Sequence, residues 1–263
     1  SAVRYITDTS NPHKINLRTM RLDVQRDEME KSQEVRIKYA SKNASVSNAW
    51  KKWQGESKGI EKLNTVATKE DFESRFEKWA EDKPEYKDLI SQLAKLYEEL
   101  EPYAFATDYH NEAINANEII RIAGNVTAAI ARNSKMTPEV SANNIRQILE
   151  SFYKDYHLPI DKRSFVSIVT DYKKNVPAEM QPEFFKDIVA KKGSVQAVAD
   201  CLFEASIFAS NEKAINAIKD GVSESTFAKD PAVLLYNAFN EKFTKEIKPQ
   251  FDERSEEHTS ELQ

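Results

Sequence analysis

Glycine is scarce in this chain, and its scarcity restricts the folds open to the chain more than any other feature. Only five of the 263 residues are glycine, whereas glycine makes up about 7% of an average protein. Folds rich in β-structure need glycine at tight turns and bulges, while helical folds use it mainly at helix ends. The sequence therefore predicts an all-α protein.

Signals for the start and end of helices separate the apolar runs. Several segments open with a residue that favours the N-cap, often followed by proline at the first helical position: Asn11-Pro12, Thr68, Thr137-Pro138, Ser194 and Asp230-Pro231. Gly55 and Gly59 are expected to end a long helix that starts near Ser32, and Gly193 to end another. Only residues 3–7 (VRYIT) alternate as a strand would. The pattern predicts an irregular multi-helix domain, without a fixed repeat period.

Composition excludes several classes of protein. The net charge is −5, with both signs mixed along the chain, and no basic stripe of the kind used by nucleic-acid-binding proteins is present. No apolar run approaches the 18 or more residues of a membrane-spanning helix. Hydrophobic residues make up 40% of the chain, enough for a packed core. We therefore expect a folded domain that has no nucleic-acid partner and no membrane span.

Few residues have the spacing that catalysis or metal binding requires. His13, His110 and His157 lie outside any HExxH pattern, and no GxSxG, Walker-type or GxGxxG motif occurs. On an α-helix Asp108 and Glu112 share one face, while His110 points elsewhere, so the three cannot converge on an ion. We interpret them as a solvated helix face, and we predict no metal site and no cofactor. A di-metal helical bundle would also need paired ExxH motifs.

The stretch SNAWKKWQGE has two interpretations. Trp50 and Trp53 lie three residues apart, so they could be core tryptophans whose neighbouring lysines reach solvent. Alternatively, this part of the helix lines a ligand groove. In that case Asn48, within one turn of Trp50, would offer an amide donor and a carbonyl acceptor. The residues alone leave both interpretations open.

A family resemblance rests on the same region. Its motifs are RIKYASK at residues 36–42, SNAWK at 47–51 and GESKGIEKL at 55–63, with looser support from YHNEA, EIIRIAG and LFEASIFASNEKA further on. Together they resemble the helical domain of bacterial serine dipeptidyl-peptidases of the dipeptidyl-peptidase 7 and 11 type, serine peptidase family forty-six. The resemblance covers essentially residues 1–253.

The resemblance implies a cap domain inserted into a chymotrypsin-like double β-barrel, which carries the Ser-His-Asp triad. Such enzymes are aminopeptidase-type peptidases that release dipeptides from free peptide N-termini, in the periplasm or at the surface of Gram-negative bacteria. Neither the nucleophile segment nor the histidine motif of the family occurs here. The expected partners are therefore peptide substrates and the β-barrel part of the same protein, and this chain alone is expected to be inactive. The resemblance assigns Asn48 to the substrate α-amino group.

The last ten residues, RSEEHTSELQ, match the in-frame translation of a common sequencing adapter. We therefore expect the helical cap domain to comprise residues 1–253, and residues 254–263 to be an adapter-derived tail that packs against nothing. On this interpretation the chain is a fragment of a longer peptidase. Composition alone equally allows a free-standing helical binding or scaffold module.

Overall fold

The computed structural model describes the backbone of residues 2–260 and the side chains of residues 3–256. This part of the chain contains thirteen α-helices and no β-strand, which confirms the all-α prediction. The helices are α1 (Ala2–Arg4), α2 (Asn11–Lys31), α3 (Gln33–Lys62), α4 (Thr65–Ala80), α5 (Leu89–Tyr109), α6 (Glu118–Arg132), α7 (Pro138–Tyr153), α8 (Leu158–Asn175), α9 (Glu183–Lys192), α10 (Val195–Ala205), α11 (Asn211–Ala217), α12 (Pro231–Lys242) and α13 (Lys248–Ser260). Three π-helical segments, Tyr5–Ser10, His110–Ile114 and Phe243–Ile247, and two 3₁₀ segments, Ala178–Met180 and Ile207–Ala209, lie between them.

The beginning of the chain differs from its prediction. Residues 3–7 are helical rather than extended, because α1 continues through the π-helical segment Tyr5–Ser10 into α2. Asn11 therefore lies inside a helical run, and its assignment as an N-cap is wrong. Its buried amide nitrogen lies 3.2 Å from Glu56 Oε2 and 3.1 Å from Ser57 Oγ, and it donates to both. Asn11 thus ties α2 to α3.

The long helix α3 also extends further than its glycines predict. It passes through Gly55 and Gly59 and ends at Lys62. The chain then reverses at Asn64, whose φ of 52° is in the left-handed region. The next helix starts at Thr65, so the N-cap prediction for Thr68 is wrong, and its hydroxyl donates back to the Asn64 carbonyl.

Other helix boundaries agree with the sequence. The predicted N-caps Thr137, Ser194 and Asp230 are confirmed, since each side chain accepts a hydrogen bond from a backbone N–H in the first helical turn. Gly193 ends α9 with a φ of +90°, a conformation that favours glycine. These caps depend on neighbours in sequence, so local patterns were enough to find them.

The hydrophobic core lies among α6 to α12, and α2 and α5 contribute residues to it. A smaller cluster, where α2, α3 and α8 meet, consists of Val24, Val35, Tyr39 and Ile160. By contrast, Ala80 is the one buried apolar residue described between residues 47 and 105. Consequently α4 and the first half of α5 form an arm outside the core. None of the helices in the described part of the chain has an apolar stretch long enough to span a membrane.

The end of the chain corrects a further prediction. We expected residues 254–263 to pack against nothing, but α13 continues to Ser260 and packs along α5. The Arg254 guanidinium lies 4.8 Å from the centre of the Tyr103 ring. Residues 261–263 lie outside the described residues, and the adapter origin of the tail stays a prediction.

Candidate functional site

Asn48 lies on the outward face of α3. Val35, Tyr39 and Val46 form the buried face of this helix, and Asn48 falls on the opposite side and is exposed. Its side chain makes no hydrogen bond to another described residue. Both the amide N–H₂ group and the carbonyl oxygen of Asn48 are therefore free to meet a ligand.

The structure does not bring the tryptophans together with Asn48. Trp50 Nε1 donates to Thr19 Oγ1 of α2 at 2.9 Å. The Trp53 ring lies 4.7 Å from Lys14 Nζ and 4.7 Å from the Arg18 guanidinium, both also on α2. Both rings are half-buried at the α2–α3 contact. They hold the two helices together and line no groove with Asn48, so the packing interpretation is the one that the structure supports.

The outward face of α3 around Asn48 carries both small and long side chains. Ala44 precedes Asn48 on this face by one turn, the exposed Lys51 and Lys52 follow it by one turn, and Gly55 and Gly59 lie further along. A Cβ atom added at either glycine would meet nothing within 4 Å. At the other end of the same face, Ile37 is 71% exposed. An extended ligand could approach the helix backbone closely at the two glycines, which lie beyond the Lys51 and Lys52 side chains.

A buried polar network attaches α3 to the rest of the domain on the side opposite Asn48. Tyr39 Oη donates to Glu118 Oε1 at 2.6 Å, and Lys42 Nζ donates to Glu118 Oε2 at 2.6 Å and to the Asp155 carbonyl at 2.8 Å. Burial and the adjoining Glu118 carboxylate raise the pKa of Tyr39, so its hydroxyl remains a donor at neutral pH. The network joins α3 to the first residue of α6 and thereby fixes the orientation of the Asn48 face.

The group Asp108, His110 and Glu112 is not the solvated face that we predicted. Asp108 accepts from Ser10 at 2.7 Å, while Glu112 forms a two-pronged pair with Arg18 at 2.8 and 2.9 Å. His110 is buried and stacks on another ring. The π-helical segment His110–Ile114 carries more residues per turn than an α-helix, so the i, i+4 relation between these side chains is lost. The three side chains contact different partners.

Ser10, His13 and Asp108 meet where α2 approaches α5, but not in the order of a catalytic triad. The Ser10 hydroxyl donates to Asp108, and His13 Nε2 lies 3.5 Å from the same carboxylate. A triad needs the serine to donate to the histidine, yet neither ring nitrogen of His13 has a hydrogen-bond partner. Nor do the described residues include three His, Cys, Asp or Glu side chains grouped to hold a metal ion.

His110 is expected to make stability depend on pH. Burial lowers the pKa of His110 to about 4, against about 6.5 in an unfolded chain. Between these values the unfolded state binds more protons at this residue, so the contribution of His110 to the free energy of unfolding falls as pH drops from about 6.5 towards 4. That contribution should fall by about 2 kcal/mol between pH 7 and pH 5. Asp161 acts in the opposite direction, because burial and the Glu118 carboxylate raise its pKa to about 7.

Urea denaturation at pH 7 and pH 5 measures this effect. The variant His110→Phe keeps a flat ring against Phe243, where the two ring centres are 3.9 Å apart, and it cannot take up a proton. Its stability should therefore fall less than that of the wild-type chain over the same pH interval. An identical fall in both proteins would rule out His110 as the cause.

Comparisons with known proteins agree on one family. The family model described as Peptidase S46 matches residues 1–263. The chain is 29% identical to the Asp/Glu-specific dipeptidyl-peptidase of Flavobacterium psychrophilum over 96% of the chain, and 33% identical to that of Capnocytophaga gingivalis over 80%. It is 29% identical to dipeptidyl-peptidase 7 of Porphyromonas gingivalis over 88% of the chain. These alignments cover 36%, 30% and 33% of the three relatives, so the chain spans about a third of their length.

A solved structure has the same fold. The crystal structure of Porphyromonas endodontalis DPP11 in complex with the dipeptide Arg-Glu superposes with a TM-score of 0.74 at 22% sequence identity. The match covers 98% of this chain and 37% of the DPP11 chain. At this identity the superposition establishes the fold and no more.

Proposed function

The chain belongs to the peptidase S46 family, and from this premise we propose that it is the helical cap domain of a serine dipeptidyl-peptidase. In this proposal the complete protein releases dipeptides from peptides with a free N-terminus, and the chain covers the cleft of a double β-barrel. Support comes from the relatives that are dipeptidyl-peptidases and of which the chain spans about a third. The catalytic triad then belongs to the part of the protein outside these residues, and the chain alone has no hydrolase activity.

Asn48 carries the proposal at the level of residues. An exopeptidase must bind the positively charged N-terminus of its substrate, and the amide oxygen of Asn48 can accept a hydrogen bond from an ammonium group. The exposed, unbonded side chain of Asn48 favours this role. In this proposal the cap domain as a whole excludes longer upstream peptide, which enforces the release of two residues at a time.

Replacing Asn48 in the complete enzyme tests the proposal. Asn48→Ala should lower kcat/KM on dipeptidyl substrates with a free N-terminus, because the ammonium group loses a hydrogen-bond partner in the closed site. The decrease should correspond to a loss of about 1–3 kcal/mol of transition-state stabilisation. Steady-state kinetics with a chromogenic dipeptide substrate measures the loss. Asn143→Ala is the matched control, since Asn143 is an exposed asparagine on α7 without a described hydrogen bond.

Two results would contradict the assignment. One is unchanged kcat/KM in Asn48→Ala, and the other is an equal loss in Asn143→Ala. Robust hydrolysis by the purified chain would contradict the proposal that the catalytic triad lies in the rest of the protein.

We also propose that the protein acts in the periplasm or at the cell surface of a Gram-negative bacterium, which cell fractionation would test.

A further inference from the structure

A cavity lies outside α3, the helix that carries Asn48. It has a volume of about 530 Å³, and it is lined by the N-terminal helical run, by α5 and by Phe251 of α13. None of its lining residues belongs to α3. Its volume is in the range of small-molecule sites, roughly 300–1,000 Å³.

The charge of this cavity is strongly one-sided. Four carboxylates line it, those of Asp8, Glu98, Glu101 and Asp108. Arg4 is the one cation in the lining, and it is already paired with Glu70. Carboxylates that converge on a concave, partly apolar space produce a negative potential, which concentrates cations there.

Asp108 is the carboxylate held most firmly. Ser10 Oγ donates to its Oδ2 atom at 2.7 Å. Behind it lies His13, whose side chain is only 9% exposed and whose ring stacks on Tyr109 with the centres 5.0 Å apart. The Asp108 carboxylate therefore has a fixed position on the cavity wall.

Two buried hydroxyl oxygens belong to the same wall. Tyr5 Oη lies beside the Asp108 carboxylate, and Thr107 Oγ1 lacks a partner among the described residues. Burial, the Asp108 and Glu101 charges and the interaction with Asp108 raise the pKa of Tyr5, so this hydroxyl is neutral at physiological pH. A buried hydroxyl without a partner is unfavourable, so Thr107 favours a ligand that brings polar hydrogens.

The rest of the wall is apolar. Ile6, Leu100, Ala104 and Phe251 contribute to it, together with the ring of Tyr97. An inorganic cation would gain nothing from such a surface, and it would also lack a shell of several oxygen ligands at fixed distances. An organic cation fits both parts of the cavity, with its charge at Asp108 and its body against the apolar side chains.

We propose that this cavity binds an organic cation, an ammonium or guanidinium group carried on an apolar chain. The charged group lies between the Asp108 carboxylate and the Tyr5 and Thr107 hydroxyls, while the chain packs against Leu100, Ala104 and Phe251. Such a group is found on free alkylamines and alkylguanidines, and on the lysine and arginine side chains of peptides. The proposal uses no residue of α3 and does not depend on the function proposed above.

Calorimetric titration of the chain at about 0.1 M salt, where long-range effects of surface charges are screened, tests the proposal. n-Butylguanidinium should bind at one site per chain, and its uncharged analogue n-butylurea should bind at least about tenfold more weakly. N-acetyl-lysine N-methylamide, which lacks a free N-terminus, distinguishes the two sources. Tighter binding of this compound than of n-butylguanidinium indicates a peptide side chain, and the reverse indicates a free cation.

Variants locate the site. Asp108→Asn keeps the shape of the side chain and should weaken n-butylguanidinium binding about tenfold, and Ala104→Phe should abolish binding by filling the cavity. Glu101→Gln, an exposed position on α5, should weaken binding severalfold without risk to the fold. Glu99→Gln is the control, because Glu99 is on the same helix but does not line the cavity. Equal affinity for n-butylurea, no measurable binding, or an equal loss in Glu99→Gln would overturn the proposal.

Discussion

Asp161→Ala is expected to lower the free energy of unfolding of this chain by about 3–5 kcal/mol. Asp161 is 2% exposed, although it lies within α8, where a charged residue would normally face solvent. Its Oδ1 atom accepts from the Glu118 N–H at 2.7 Å and its Oδ2 atom from the Ile119 N–H at 2.7 Å. These are the first N–H groups of α6, so alanine would leave the buried end of the central helix uncapped.

Chemical denaturation followed by circular dichroism measures this loss. Asp161→Asn should cost less than Asp161→Ala, because the amide oxygen still accepts one of the two hydrogen bonds. Asp200→Ala is the control, since Asp200 is about half exposed and pairs with Lys162 at 2.7 Å, and such a pair is worth at most about 1 kcal/mol. If Asp161→Ala cost no more than Asp200→Ala, the capping role would be refuted.

Gly124→Ala should destabilise the chain by about 1–3 kcal/mol, although alanine is the better helix former. Gly124 lies in α6 where α12 crosses it, and a Cβ atom there would be only 2.3 Å from Cε2 of Tyr236. Three atoms of the Tyr236 ring lie within 3 Å of that position, so no small movement of one atom relieves the overlap. The two helices approach closely because this residue has no side chain.

A second glycine provides the matched control. Gly55 is also inside a helix, but a Cβ atom there meets nothing within 4 Å, so Gly55→Ala should stabilise the chain by roughly 0.5–1 kcal/mol. A double-mutant cycle of Gly124→Ala with Tyr236→Ala should show a favourable coupling energy, because the smaller residue removes the overlap. Additive effects of the two substitutions would mean that the overlap is not the cause.

Tertiary contacts explain why some helix boundaries could be predicted and others could not. Ser194 and Thr137 cap their own helices through N–H groups three residues away, so their chemistry is visible in a short stretch of sequence. Asn11 carries the same capping signal, yet its partners are Glu56 and Ser57, more than forty residues along the chain. At the N-terminus of α6 the cap comes from a distant part of the sequence instead of from a neighbouring residue. The acceptor there is Asp161, which lies 42 residues along the chain from Ile119.

The two candidate sites also differ in how far the sequence predicts them. Asn48 was predicted from a motif of five residues, because a resemblance in sequence needs no knowledge of the fold. The face on which it lies depends on α2 packing against the other side of α3, and so does its separation from Trp50. The cavity around Asp108 left no pattern in the sequence, since its lining comes from residues 4–10, 94–108 and Phe251. Such a site forms only when distant helices meet.

The helical class and several of the helix caps follow from the residues themselves, because glycine content and cap chemistry act over a few neighbouring positions. Family membership was also visible in short motifs. Long-range contacts settled the rest: the continuous helix from α1 into α2, the π-helical turn that separates Asp108 from Glu112, the buried cap at Asp161 and the contact of Arg254 with Tyr103. Each of these depends on the free energy gained when a polar or aromatic group meets a partner far away in sequence, and only the folded chain brings those partners together.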